Sequence, residues 1–287
     1  MLELLPKTWE MWRFGGLSPW TTLRRTSREF RRNGLDARSA QSAYYGLALI
    51  PPILILLLTV MSALPIDDLF ESFGHEARKA LPEDAYKLLM YQVEDIRTRG
   101  GQGLVWLAVG VFLFSGLKLF NSVSRALNAA HGVEERRKVW ELWSISLLLG
   151  VGSFLLLIVA SLLMFFGPVL DLPFASWIRG LIMIGAALLG TSVIYWAMPS
   201  VRQRWLPLTP GNALAVGSWL LMSRVLRWFV DGFGNYNETY GALAGVILVM
   251  IWMHMSGVAF YFGAQLNIVI LSAMRTEDRA PPLRGRA

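Results

Sequence analysis

Residues 235–273 read NYNETYGALAGVILVMIWMHMSGVAFYFGAQLNIVILSA. From Gly241 to Ala273 there is no Asp, Glu, Lys or Arg, and most residues are apolar. A run of 18 or more such residues is typical of a membrane-spanning helix, because backbone groups in hydrocarbon must hydrogen-bond to one another. At about 1.5 Å per residue this helix reaches roughly 50 Å, against a hydrocarbon core of about 30 Å, so we expect it to tilt or to continue past one surface.

Small and polar residues interrupt the apolar surface of this stretch. Small side chains let another helix approach closely, and polar side chains in a membrane are tolerated where they face a partner helix or a wet cavity. The pattern therefore predicts helix packing and permits self-association into a homo-oligomer. The residues are the pairs Gly241/Gly245 and Ala259/Gly263, together with His254, Gln265 and Asn267.

Composition places most of the chain in lipid. Hydrophobic residues make up 54% and charged residues only 16%, whereas soluble domains carry about 25% charged residues. The absence of cysteine excludes disulfides and thiolate metal sites. No metalloprotease, serine-hydrolase, phosphate-loop or dinucleotide motif is present. We therefore expect neither an enzyme nor a cofactor or metal.

Hydropathy predicts an all-α, polytopic membrane protein with six transmembrane helices. Residues 1–39 form an interfacial amino-terminal region, residues 40–273 form the membrane domain, and residues 274–287 form a tail. A small helical outer insertion, residues 65–101, separates the first two spans. The spans are predicted at about 40–64, 102–123, 142–167, 178–198, 211–230 and 241–273.

Basic residues predict the orientation. With both termini in the cytoplasm, 17 of the 27 Lys and Arg lie in cytoplasmic segments and 5 lie in outer loops. The positive-inside rule favours this arrangement. It also accounts for the net charge of +7, so no nucleic-acid partner is expected.

Residues 18–32 are predicted to form a basic amphipathic helix lying on the membrane surface. Ser18 can cap its amino terminus, Pro19 suits the first helical position, and Asn33-Gly34 ends it. Such a helix binds anionic lipid headgroups. Its apolar residues Trp20, Leu23 and Phe30 lie beneath five arginines, Arg24, Arg25, Arg28, Arg31 and Arg32.

The outer insertion holds eight acidic and five basic residues. Asp67, Glu71 and His75 follow i, i+4, i+8 and could share one helical face. That spacing is compatible with a metal site, but on an acidic, solvated helix it is more typical of an ordinary surface.

Four segments of the chain resemble the YihY/BrkB family of bacterial inner-membrane proteins. They are residues 42–52 (SAYYGLALIPP), 127–132 (LNAAHG), 198–201 (MPSV) and the last span, with its Tyr240-Gly241 and closing residues 263–267 (GAQLN). The family more usually has an acidic residue where this chain has Gln265. The resemblance implies six spans and an inner-membrane location, but little chemistry. A ribonuclease label used for some members finds no metal cage or acid–base pair in this sequence.

Cations inside the predicted spans are the remaining functional signal. Charged side chains at membrane depth are costly and face protein or water. The span interiors contribute no carboxylate, so we expect a cationic cavity that binds or translocates an anionic amphiphile such as a phospholipid or lipid precursor. Its predicted lining residues are Lys118, Asn121, Arg125, Asn128, Arg179, Arg224, Arg227 and His254, and its predicted hinge residues are Pro51, Pro52, Gly241 and Gly245.

The alternative hypothesis is a scaffold or envelope-integrity protein without transport activity. It would recruit envelope partner proteins through the acidic outer insertion and the basic amino-terminal helix. A wet cavity reaching from Arg224 toward Lys118 would favour transport, and a tightly packed bundle with those cations on its rim would favour scaffolding.

Overall fold

The computed structural model describes residues 8–62, 78, 90–91, 102–169, 176–232 and 236–277. Within these residues the structure is built from α-helices, one 3-10 turn (Phe14–Gly16) and connecting loops, which confirms the predicted all-α class. The helices are α1 (Thr8–Met11), α2 (Pro19–Arg32), α3 (Leu35–Ser62), α4 (Gln102–His131), α5 (Val139–Val169), α6 (Ser176–Ala197), α7 (Pro210–Gly232) and α8 (Tyr236–Glu277).

Helices α3 to α8 coincide with the six predicted spans. Four of them contain stretches long and apolar enough to cross a membrane, namely Leu35–Leu56, Val105–His131, Gly180–Ala197 and Gly245–Arg275. The apolar stretch described in α5, Val139–Ser153, is shorter. The structure therefore supports a helical membrane protein, and the count of six spans stays a prediction.

Helix α8 is the centre of the described structure, since it packs against α2, α3, α4 and α7. Small residues make these approaches close. A Cβ atom added at Gly257 would lie 3.2 Å from the Cβ of Ser39, and one added at Gly46 would lie 3.0 Å from the sulfur of Met253. These two contacts also show that α3 and α8 run antiparallel.

Hydroxyl groups join the same helices inside the bundle. Ser42 of α3 hydrogen-bonds to Tyr261 of α8 at 2.6 Å and to Ser122 of α4 at 3.2 Å. Such bonds hold helices together where lipid supplies no hydrophobic driving force. The surrounding core consists of Phe30, Leu35, Phe120, Ala126, Leu127, Ala130, Met198, Tyr261 and Ala264.

The amino-terminal segment folds onto the end of α8. Helix α2 has the predicted boundaries: the Ser18 hydroxyl accepts from the Thr21 amide at 3.2 Å, and Asn33 is the carboxy-terminal cap. Phe30, however, packs against Phe262 with ring centroids 5.5 Å apart and the rings tilted by 53°. It was predicted to belong to the lipid-facing side, but its place three turns along α2 brings it into the protein core instead. Trp20 and Leu23 stay exposed, and the interfacial position of α2 stays a prediction.

One end of the bundle, called the loop end below, gathers the loops at 132–138 and 198–209 and the carboxy-terminal part of α8. Exposed tryptophans mark both ends of the bundle. Trp106 and Trp228, each 73% exposed, lie 18–25 residues along their helices from the loop end, roughly 27–38 Å at 1.5 Å per residue. Exposed tryptophans at the loop end include Trp12, Trp140, Trp143, Trp196 and Trp205. Two such belts about one membrane apart are typical of a transmembrane protein.

A basic pocket at the loop end as the candidate functional site

The loop at 198–209 is folded back onto the last turns of α6. The Trp205 indole N–H donates to the Ser192 hydroxyl at 2.9 Å. The Gln203 side chain donates to the carbonyl of Tyr195 at 2.6 Å, and the Trp196 indole donates to the carbonyl of Gln203 at 3.2 Å. These bonds fix a short basic loop whose arginines, Arg202 and Arg204, are both exposed.

Glu135 holds the other loop in place. Its carboxylate accepts hydrogen bonds from the side chains of Ser124 and Asn128 of α4, each at 2.9 Å, and forms an ion pair with Arg137 at 2.9 Å. The Ser200 hydroxyl also bonds to it. Burial raises the pKa of Glu135, but the bonds from Arg137, Ser200 and Ser124 outweigh burial and leave that pKa well below its usual range.

These contacts join the two loops into one unit. Arg137 donates to the main-chain carbonyl of Met198, and the amide of Ser200 donates to the Asn128 side chain at 2.6 Å. The segments matched by the family resemblance at 127–132 and 198–201 are therefore in direct contact. Both segments therefore contribute to the packing of the loop end.

A pocket of about 390 Å³ opens between the two loops and α8. Its lining consists of three arginines, one histidine, five apolar side chains, Gln203 and Ser272. Among the residues that the structure describes, no carboxylate belongs to its lining. The lining residues are His131, Val133, Val201, Arg202, Gln203, Arg204, Leu206, Ile268, Leu271, Ser272 and Arg275.

A smaller cavity of about 50 Å³ adjoins this pocket and is called the recess below. It shares His131, Gln203, Arg204, Leu206, Ile268 and Leu271 with the pocket. Its other polar lining residues include Ser192, Tyr195, Thr209, Asn212 and Asn267. The recess and the pocket therefore share one wall, and the recess adds residues of α6, α7 and α8 to it.

Most cations predicted as lining residues lie elsewhere. The side chains of Lys118, Arg125, Arg224 and Arg227 are exposed, and Lys118 lies over the Phe114 ring at 5.4 Å from its centroid. Neither the pocket nor the recess includes any of them among its lining residues. The cavity predicted between Arg224 and Lys118 therefore stays a prediction.

The other predicted lining residues have mixed environments. Asn128 is buried in the Glu135 cluster, where it has a positioning role, and Asn121 is half-buried. The Nε2 atom of His254 lies 3.5 Å from the carboxylate of Asp36. Arg179 belongs to α6, but its side chain lies outside the described residues, as do Asp67, Glu71 and His75 of the outer insertion.

The predicted hinge residues show no interruption of their helices. Helix α3 continues through Pro51 and Pro52, and α8 continues through Gly241 and Gly245. The close helix approach predicted for Gly263 is present, because a Cβ atom added there would overlap the main-chain carbonyl oxygen of Gly211 in α7. Bending at the proline pair stays a prediction.

Sequence reasoning missed the residues that form the pocket. In the sequence, Arg202, Arg204 and Arg275 count only among the 17 cytoplasmic Lys and Arg that predict the orientation. The available signal was that arginines follow both the 198–201 segment and the last span. Their convergence depends on the packing of α4, α6 and α8, which no local pattern reports.

The fold and the aromatic belts define a polytopic helical membrane protein. The family model described as Virulence factor BrkB matches residues 26–287. The chain belongs to this family.

Relatives carry general names. The putative ribonuclease-like protein YfkH of Bacillus subtilis (strain 168) is 27% identical over 261 residues, covering 86% of this chain and 94% of the relative. A UPF0761 membrane protein of Alkalilimnicola ehrlichii is 24% identical over 88% of this chain, and one of Pseudomonas aeruginosa (strain LESB58) is 28% identical over 63%. The chain spans only 58% and 44% of those two relatives. No solved structure matches.

Proposed function

We propose that this protein binds an anionic amphiphile, a phospholipid or lipid precursor, with its charged head in the basic pocket at the loop end. The supporting observation is the described part of that pocket's lining, which contains Arg202, Arg204 and Arg275 and no carboxylate. Guanidinium groups bind phosphate bidentately, and basic pockets between spans hold phosphorylated headgroups. We assign the pocket a binding role rather than a catalytic one, because His131 has no acid–base partner among the described lining residues.

The apolar part of the pocket favours an amphiphile over a free anion. Leu206, Ile268 and Leu271 lie in the same lining as the arginines, so the pocket offers contacts both to hydrocarbon and to negative charge. The volume of about 390 Å³ falls within the range of small-molecule sites, roughly 300–1,000 Å³. Exposed Trp196 and Trp205 nearby are typical of headgroup depth.

The location follows from the predicted orientation. With both termini in the cytoplasm of a bacterial inner membrane, the loop end faces the cytoplasmic leaflet, where anionic lipids attract basic segments. Translocation would then carry the ligand from this pocket toward Arg224 and Arg227 at the opposite end. The sequence has no ATP-binding motif, so such movement would be passive, driven by an ion gradient or powered by a partner.

The test compares three double variants in purified full-length protein in nanodiscs of zwitterionic lipid. Arg202→Gln/Arg204→Gln should weaken binding of phosphatidylglycerol at least tenfold, because a hydrogen bond to a charged group contributes about 1.5–3 kcal/mol. Arg136→Gln/Lys138→Gln is the matched control, since both residues are exposed loop-end cations outside the pocket lining. Arg224→Gln/Arg227→Gln tests the outer pair.

Two results would overturn the proposal. One is equal phosphatidylglycerol affinity in the pocket variant and the matched control. The other is competition by inorganic phosphate at the same concentration as the lipid, which would make the ligand a free anion. If only the Arg224→Gln/Arg227→Gln variant loses phosphatidylglycerol affinity, the binding site lies at the opposite end of the bundle.

A further inference from the structure

The basic pocket carries more positive charge than one phosphodiester can neutralise. Arginine stays charged in proteins, so Arg202, Arg204 and Arg275 give the described lining three positive charges, which no lining carboxylate opposes. Within the described residues, none of these three side chains forms an ion pair or a hydrogen bond. A phosphodiester headgroup with a single negative charge would therefore leave two guanidinium groups without a counter-charge.

The neutral polar side chains of the lining already have hydrogen-bond partners. The Gln203 amide nitrogen donates to the carbonyls of Tyr195 at 2.6 Å and Trp196 at 3.3 Å. The Ser272 hydroxyl donates to the carbonyl of Val269 at 2.7 Å. In the described lining, the arginines and His131 are therefore the side chains that can still donate to a ligand. Such a lining recognises the phosphate itself and offers little to a polar group esterified to it.

A phosphate without a second substituent matches this lining better. A phosphomonoester carries about −1.5 to −2 charge near neutral pH and three acceptor oxygens, whereas a phosphodiester carries a single charge and two terminal oxygens. Guanidinium groups bind such oxygens in pairs, and charge-assisted hydrogen bonds are roughly twice as strong as neutral ones. A headgroup that ends in an ammonium group would be repelled by the same arginines.

We infer that the pocket selects lipids whose headgroup is a phosphomonoester, such as phosphatidic acid, over lipids whose phosphate carries a second ester. The inference rests on the proposed function, because it requires the phosphate to lie among the three arginines. It narrows the ligand class from anionic amphiphiles in general to amphiphiles that end in an unsubstituted phosphate. Arg275, at the end of α8, supplies the third guanidinium, which is available for the second negative charge.

The experiment compares two lipid probes with identical acyl chains, phosphatidic acid and phosphatidylmethanol. They differ by one methyl ester and, at pH 8, by about one charge. The full-length protein in nanodiscs of phosphatidylcholine should bind phosphatidic acid about three- to tenfold more tightly, a modest factor because the arginines are exposed. Raising the salt concentration should reduce this preference, because exposed charges are screened.

Variants of Arg275 assign the preference to the pocket. Arg275→Gln should reduce it to about twofold or less, because the change should weaken phosphatidic acid binding more than phosphatidylmethanol binding. Arg275→Lys keeps the charge and should keep most of the preference. Arg136→Gln is the matched control, since Arg136 is an exposed cation of the loop end outside the pocket lining. Both positions are exposed, so all three variants should keep the wild-type melting temperature, which checks their folding.

The outcomes separate this inference from the proposed function. If the wild-type protein binds both probes equally and both more tightly than phosphatidylcholine, the phosphomonoester inference is wrong and anionic binding stands. If Arg275→Gln keeps the full preference, the pocket is not the selective site and the inference fails. If neither probe binds better than phosphatidylcholine, the proposed function itself fails. Displacement of phosphatidic acid by glycerol 3-phosphate at equal concentration would make the ligand a soluble phosphomonoester, so the headgroup preference would stand and the amphiphile would not.

Discussion

Glu135 shows how a single side chain organises the loop end. It receives hydrogen bonds from α4, from its own loop and from Ser200, and its partner Arg137 is only 17% exposed. A lowered pKa means that folding favours the ionised form. Its contribution to stability is therefore fully present above the unfolded-state value of about 4.5 and is lost as the pH falls toward the folded-state pKa.

Replacing Glu135 with Gln should lower the free energy of unfolding by about 1–3 kcal/mol near neutral pH, because Arg137 is left half-buried without its counter-charge. Glu134→Gln is the control, since Glu134 is exposed. Thermal unfolding in detergent from pH 7 to pH 3 measures the difference. The gap between wild type and Glu135→Gln should narrow below about pH 4.5. A gap that stays constant over this range would show that the Glu135 charge does not stabilise the fold.

The same cluster shows what a sequence pattern reports at the residue scale. Asn128 belongs to a polar stripe on α4 with Lys118, Asn121 and Arg125, and the stripe predicted a ligand path. In the structure the Asn128 side chain instead hydrogen-bonds to Glu135 and to the Ser200 amide. The spacing identifies a polar face of the helix, but the partner of each side chain depends on the fold of a distant loop.

At the scale of elements, α7 and α8 are joined by a contact that only glycine permits. Helix α7 begins at Pro210, so the amide of Gly211 is one of the first helical donors without an intrahelical acceptor. Asn267 of α8 supplies that acceptor from across the interface at 2.9 Å. This hydrogen bond requires the close backbone approach of Gly211 and Gly263.

Gly263→Ala should therefore destabilise the protein by about 1–3 kcal/mol, the usual cost of overpacking. Its Cβ atom would lie 2.8 Å from Ala215 Cβ, 2.9 Å from the Tyr195 hydroxyl and in collision with the Gly211 carbonyl. Gly217→Ala in α7 is the matched control, because no described atom lies within 4 Å of its added Cβ. There the higher helix propensity of Ala should give a neutral or slightly stabilising change. Melting temperatures compare them, and equal values for both variants would contradict this packing.

The boundaries of α2 were predictable, and the reason is local chemistry. The Ser18 cap, the Pro19 start and the Asn33-Gly34 end of α2 involve neighbours in sequence, and Gly34 has the positive φ of 62° that favours glycine. The effect of Pro51 and Pro52 was less predictable. In an apolar environment no water can bond to a released backbone group, which favours the continuous helix observed there.

At the scale of the whole molecule, the described part of the chain contains six long helices, α3 to α8, and the first and last of them bring the chain to the same end. The amino-terminal segment accordingly meets the end of α8: Met11 packs with Leu266 and Ile270. The concentration of basic residues at this end was predictable from the distribution of Lys and Arg along the sequence. The pocket was not, because His131, Arg202 and Arg275 lie far apart in sequence and meet only when three helices have packed.

The orientation of that end decides which leaflet the pocket can reach, and single cysteines test it. The chain contains no cysteine, so Arg136→Cys reports the loop end and Arg99→Cys reports the predicted outer segment without background. In intact spheroplasts a membrane-impermeant maleimide should label Arg99→Cys and spare Arg136→Cys, and inverted vesicles should reverse the pattern, because 17 of the 27 basic side chains then stay in the cytoplasm. Labelling of Arg136→Cys in intact spheroplasts would contradict the orientation. It would place the basic pocket at the outer leaflet, and the arginine variants alone would then test the proposed affinity for anionic amphiphiles.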